Sequence, residues 1–164
     1  MKINEKRVFI VHGRDELSKM QLARMLEKMK MEPIILHEQP SRGMTLIEKL
    51  EYYSKNIGYA FIILTPDDLG CLKEDFVVEG PLAKRGLRAP LGALKPRARQ
   101  NVVFELGWFQ GRLGRDRVCL LYKSDVELPT DISGMVYSEF KESIEECYQD
   151  IIKELRDAGY KPQV

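Results

Sequence analysis

The chain has 164 residues, about one domain by length, and enough to bury roughly two-thirds of the surface its unfolded form exposes. Its 26 Lys and Arg oppose 25 Asp and Glu, so no excess of either sign marks it as a whole-chain partner for nucleic acid or for an anionic membrane. At 44% hydrophobic and 31% charged residues it reads as compact rather than disordered, and no apolar run approaches the roughly 20 residues that span a bilayer. The opening MKINEKRVFIVHGRD has too short an apolar stretch for a secretory signal, which makes the cytoplasm the expected compartment. Cys71, Cys119 and Cys147 are odd in number and far apart, with only His12 and His37 to join them, so neither a disulfide framework nor a metal site is expected.

In chain order, residues 7–12 (RVFIVH) form a β-branched and aromatic run ending at Gly13, a buried strand. From 16 to 31, Leu17, Met20, Leu22, Met25, Leu26 and Met29 recur at three- and four-residue steps behind Asp15 as N-cap, which predicts a helix that Pro33 stops. Residues 34–36 (IIL) read as a second strand, and 37–43 (HEQPSRG) as a loop. A second amphipathic helix is expected over 45–55 with Leu46, Ile47 and Leu50 inward, followed by the most apolar strand at 59–64. The alternation then pauses. Residues 80–100 hold three of the eight prolines and three of the twelve glycines, and Lys84 to Arg99 holds six basic residues and no acidic one, so a long loop or insertion is expected at about 70–100. It is either a solvated loop or one that faces an anion. A third helix at 101–113, a strand at 117–122, a loop at 127–134, a short strand at 135–137 and a closing helix at 142–158 complete the order, the last with Ile144, Tyr148, Ile151, Ile152 and Leu155 inward. Strands alternating with helices imply an α/β fold: a central parallel sheet of about five strands with helices on both faces, in a single domain over 1–164.

In such sheets ligands gather at the carboxyl ends of the strands, which selects His12, Gly13, Arg14 and Asp15, then 37–43, then Thr65 to Asp68. Neither GxxxxGK[ST] nor GxGxxG is present, so a nucleotide here would be held by Arg14, backbone N–H groups and the helix start behind Asp15; a capped strand-to-helix turn explains HGRD equally well. The third helix carries an anomaly. Glu105 stands inside NVVFELGWF, where a carboxylate is costly unless paired or at the helix edge. Val102, Leu106, Phe109 and Leu113 make one stripe, and Asn101, Glu105, Trp108 and Arg112 the neighbouring one. That second stripe suits a cleft, with Glu105 accepting from sugar hydroxyls, Trp108 stacking on a ring and Asn101 near the helix start. Alternatively Glu105 pairs with Arg112 or a basic loop residue. One carboxylate is enough to cleave an N-glycosidic bond whose leaving group is already cationic, because no general acid is then required. A phosphoacceptor receiver shares the topology and would use Asp67, but HGRD supplies only Asp15 toward its metal. A nucleoside-transferring enzyme of similar topology is a further reading.

RVFIVHGRDE, EPIILHEQPSRGMTLIEKLE, YAFIILTPDDLG and ARQNVVFELGWFQGRLGRDRVCLLYK with VELPTDISG resemble the prokaryotic TIR-like proteins, including TIR effector modules of cyclic-nucleotide-triggered antiphage systems. The resemblance covers about residues 7–160. It implies a flavodoxin-like fold and conversion of NAD+ to nicotinamide and linear or cyclic ADP-ribose, with NAD+ as substrate and no separate cofactor. By the same resemblance Glu105 is the catalytic residue; His12, Gly13 and Arg14 approach the nucleotide; Thr65 and Asp67 close the site. Asp15, Gln39, Asn101 and Trp108 complete the expected substrate contacts. The 38–43 loop is the implied head-to-tail assembly segment, and sensing is expected to come from self-association or a separate sensor protein. A non-catalytic nucleotide-binding or TIR–TIR interaction module is the alternative.

Overall fold

The computed structural model describes residues 4–75, 94–132 and 135–163. Five parallel strands build the central sheet in the order β2 (Glu32–Ile35), β1 (Arg7–Val11), β3 (Ala60–Leu64), β6 (Val118–Lys123), β7 (Tyr137–Phe140). This is the flavodoxin-like order. The chain steps from β1 to β2 on one side and then returns to place β3 on the other, so strand order reverses beside β1. A crevice opens there.

Each central strand divides its side chains between two cores, as the period of two requires. Val8, Ile10, Phe61, Ile63, Cys119 and Leu121 meet α1 (Glu16–Lys28) and α4 (Tyr148–Asp157) through Leu22, Leu26, Ile151 and Leu155. Phe9, Val11, Ile62, Leu64 and Leu120 meet α2 (Leu46–Tyr53) and α3 (Gln100–Leu113) through Leu50, Val102, Leu106 and Phe109. Strands covered on both faces read as continuous apolar runs, which is why β1, β3 and β6 stand out in the sequence.

Several expectations are corrected. Pro33 does not merely stop α1: it lies within β2, an edge strand, where a missing N–H costs no ladder bond to a second neighbour. The last strand runs 137–140 rather than 135–137, and residues 144–147 form a tight 3₁₀ turn before α4 begins. On α2, Leu46 and Ile47 are exposed, while Lys49, Leu50 and Tyr53 are buried. On α1, Leu17 and Met20 face out and Ser18 and Lys19 face in. Residues 142–158 otherwise bury the face expected of them: Ile144, Ile151, Ile152 and Leu155. The ends of the expected 70–100 loop pair as a two-stranded antiparallel ribbon, β4 (Asp68–Gly70) with β5 (Lys95–Arg97). Residues 76–93 between them, with Lys84, Arg85 and Arg88, lie outside the described residues.

Candidate functional site

At the end of β1 the chain runs through His12, Gly13 and Arg14 before α1 begins. Asp15 is committed to that helix start: its Oδ1 accepts from the Ser18 amide at 2.9 Å and its Oδ2 from the Ser18 hydroxyl at 3.0 Å. It acts as an N-cap and does not line the cleft. From β3, the Thr65 hydroxyl donates to Asp67 Oδ1 at 3.1 Å, and the Asp67 carboxylate packs against the Cα of Gly13. Thr65 and Asp67 therefore brace the β1 turn without lining the cleft. Gln39 is likewise turned away, its Nε2 donating to the Ile35 carbonyl at 3.3 Å.

The cleft has a volume of about 630 Å³. His12, Gly13 and Arg14 reach it from the β1 turn, His37 from the turn after β2, Lys49 from α2, and Arg99, Asn101 and Glu105 from the start of α3. Sequence reasoning thus placed His12, Gly13, Arg14, Asn101 and Glu105 in one site with the basic stretch that ends at Arg99 beside it, and missed Lys49. Trp108, one turn beyond Glu105, does not line the cleft; it packs against the α2–α3 core with its indole N–H buried and without a partner among the described residues.

Glu105 is half-buried, and burial pushes its carboxyl up to about 7, opposed by the positive charge of Arg99. Arg112, the partner that helical spacing offered, is exposed and forms no ion pair with it among the described residues. The carboxylate therefore faces the cleft without a neutralising contact. Of the other basic residues expected beside it, Lys95 and Arg97 pair instead with Glu127, at 2.9 and 2.5 Å, because β5 points them that way.

A polar chain borders the cleft on the β2 side. Lys19, nine-tenths buried, is held by Glu16 and by Glu38 at 3.5 Å, and its ammonium donates to His37 Nε2 at 3.3 Å. An ammonium only donates, so His37 Nε2 accepts, and its Nδ1–H donates to His12 Nε2 at 3.0 Å. Burial, reinforced by His37 and Lys19, lowers the pKa of His12. Among the described residues no three His, Cys, Asp or Glu side chains converge on a metal position, and no helix is long and apolar enough to cross a membrane.

A parallel sheet in the flavodoxin-like order, with a cleft at its switch point, defines a doubly wound α/β module. The chain belongs to the family described as the TIR domain of CAP12/Pycsar effector proteins, whose model matches residues 7–142. It is 39% identical over 137 residues to the protein YuaY of Escherichia coli K12, an alignment covering 84% of this chain and 40% of YuaY. It is 32% identical over 155 residues to the protein tirC of Dictyostelium discoideum, covering 90% of this chain and 71% of tirC. With the Pycsar effector protein PaPycTIR of Pseudomonas aeruginosa it shares 34% identity over 91 residues, 54% of this chain and 24% of that protein.

Proposed function

We propose that this chain is an NAD+ glycohydrolase module of the TIR type. The observation that carries the reading is Glu105, a carboxylate kept half-buried and without an ion-pair partner among the described residues, in a cleft whose other polar lining includes His12, Arg14, His37, Lys49, Arg99 and Asn101 and whose second carboxylate, Glu16, is paired with Lys19. Buried acidic groups with displaced pKa values in clefts are functional-site candidates. Membership of the CAP12/Pycsar TIR family supports the same reading.

In the reaction, the bond between ribose C1′ and the pyridinium nitrogen breaks, and its electron pair leaves with nicotinamide. The ionised Glu105 faces the oxocarbenium charge that develops on the ribose and orients its hydroxyls. Water adds at C1′ and releases one proton, giving ADP-ribose; attack by a nucleophile of the substrate itself gives the cyclic product. NAD+ enters as substrate, and the step calls for no further cofactor. His12, Arg14 and Asn101 position the nucleotide.

In this reading the module works in the cytoplasm, in antiphage defence, gated by assembly through the 38–43 loop or by a separate sensor. The loop is presented by α2: Tyr53 donates to the Pro40 carbonyl at 3.0 Å, and Arg42 donates to the Tyr52 hydroxyl at 3.0 Å. The exposed Leu46 and Ile47 lie directly after it on α2, available to a second copy.

Nicotinamide release from NAD+ by concentrated protein tests the proposal. Glu105→Gln is expected to lower the rate at least a hundredfold while the protein still melts cooperatively. Binding of NAD+ or ADP-ribose without turnover at any concentration would replace the enzyme with a nucleotide-binding or TIR–TIR interaction module.

A further inference from the structure

Two features of the cleft are not accounted for by Glu105. The first is Lys49 on α2. Only 4% of this residue is exposed, it lines the cleft, and among the described residues its ammonium has neither an ion pair nor a hydrogen bond. Lys19 is buried to the same 4% but is met by Glu16 and Glu38. The stem of Lys49 is thus packed away, and its ammonium is left to the cleft without a counter-charge from the protein among the described residues.

The second feature is the start of α3. The N-terminus of α1 is capped by Asp15, and that of α2 by the reciprocal Thr45–Glu48 box. At α3 the N-cap position is Arg99, whose side chain satisfies none of the free backbone N–H groups. That end of the helix opens at the cleft, which Arg99, Asn101 and Val102 line. Unpaired N–H groups and the positive end of the helix dipole favour an anion there. Lys49, Arg99 and the α3 start thus bring three independent sources of positive potential to one cleft, and the remaining charge on α2's first turn, Glu48, is spent on its own cap.

We propose that Lys49, Arg99 and the uncapped start of α3 form a phosphate subsite that takes the diphosphate of the nucleotide substrate. The inference rests on the reading that a dinucleotide is cleaved at Glu105, and assigns which residues hold its charged middle. The ligand supplies the counter-charge that the protein withholds from Lys49. Bidentate contact from the Arg99 guanidinium and point-charge contact from Lys49 are the usual division of labour toward phosphate oxygens.

Calorimetry with inorganic pyrophosphate and with ADP-ribose at low salt tests this on the full chain. The wild type is expected to bind both. Lys49→Met keeps the length and packing of the stem and is expected to weaken both at least tenfold without lowering the melting temperature of the free protein. Lys49→Arg is expected to stay within about threefold of wild type, and adenosine, which lacks phosphate, to distinguish none of the three. In turnover, Lys49→Met should raise the KM for NAD+ at least tenfold with kcat within about threefold. Equal affinity of wild type and Lys49→Met for ADP-ribose would overturn the subsite and leave cleavage by Glu105 standing. Lys49-dependent binding in a protein that releases no nicotinamide would uphold the subsite and remove the enzyme. Should Lys49→Met not fold, Arg99→Gln serves, with at least a threefold loss of pyrophosphate affinity expected and unchanged affinity overturning the proposal.

Discussion

The carboxylate of Asp67 lies against the Cα of Gly13, so that a Cβ built on Gly13 would stand 2.7 Å from Asp67 Cγ and overlap Oδ2 outright. The glycine is required by this close approach and not by a left-handed backbone. It couples the β1 turn, which carries His12 and Arg14 into the cleft, to the end of β3. Gly13→Ala is expected to destabilise the protein by about 1–3 kcal/mol, the usual cost of overpacking. Adding Asp67→Gly, which clears the space, should recover at least half of that loss. Thermal or denaturant melts of the two single variants and the double variant close the cycle. Additive losses would show that the two residues do not meet.

Glu105 links activity to stability with opposite signs. Its carboxyl is raised to about 7 in the folded protein, from an ordinary value near 4.5. Between those values the folded state holds a proton that the unfolded chain has released. Stability therefore falls as pH rises through this window, and the full penalty stands above pH 7. Glu105→Gln removes the penalty. It is expected to raise the melting temperature at pH 8 by roughly 2–4 °C, on the order of 1 kcal/mol, and to leave it nearly unchanged at pH 4.5.

The same ionisation sets the rate. Since the ionised carboxylate is the acting form, nicotinamide release should rise with pH to a plateau with a midpoint near 7. Arg99 holds the carboxyl below the value that burial alone would give. Arg99→Gln is expected to move the midpoint to higher pH as well as weaken binding. A midpoint that moves to lower pH in this variant would contradict the electrostatic assignment.

What could be read from residues alone follows the physics of burial. β1, β3 and β6 are sandwiched between two helical layers, so their apolar runs identify them without reference to the rest of the chain. β4 and β5 have three residues each, DLG and KPR, with no pattern to betray them. Only their pairing makes them strands. On α2, Leu46, Ile47, Leu50 and Tyr53 leave the direction of the buried face ambiguous by about one position, and the contacts of the folded chain settle it toward Lys49. Glu105 was legible because a carboxylate among large apolar residues violates the local pattern. Lys49 was not, since a lysine on a short amphipathic helix ordinarily faces water. The one available signal was its place beside Leu50 and one turn after Leu46, at the edge of the apolar stripe.

The cap of α2 lies outside the cleft but holds the start of the helix that carries Lys49 into it. Thr45 Oγ1 accepts from the Glu48 amide at 3.3 Å, and the Glu48 carboxylate accepts from the Thr45 amide at 2.8 Å, which also holds the Glu48 pKa below its ordinary value. Thr45→Ala should cost about 0.5–2 kcal/mol in a denaturant melt, the usual price of a lost N-cap. Because α2 carries Lys49, the same variant is expected to weaken ADP-ribose binding two- to threefold, less than Lys49→Met does.

The chain from Lys19 through His37 to His12 makes a prediction whose sign does not depend on any ligand. Three influences lower the pKa of His12: burial first, then His37, then Lys19; Glu16 acts the other way. Lys19→Met removes one of the lowering charges and releases Glu16 from its ion pair, so both consequences point upward. The His12 imidazole is therefore expected to titrate at higher pH in Lys19→Met than in the wild type, as followed by the chemical shift of its Cε1 proton. A His whose folded pKa lies below its unfolded value withdraws stability as pH falls, because the unfolded chain takes up the proton first. The acid limb of the wild-type stability curve below about pH 6.5 should accordingly be shallower in Lys19→Met, since less of the His12 penalty remains. An unchanged His12 titration would place Lys19 outside the electrostatic control of the cleft and confine it to holding the β2 turn against α1.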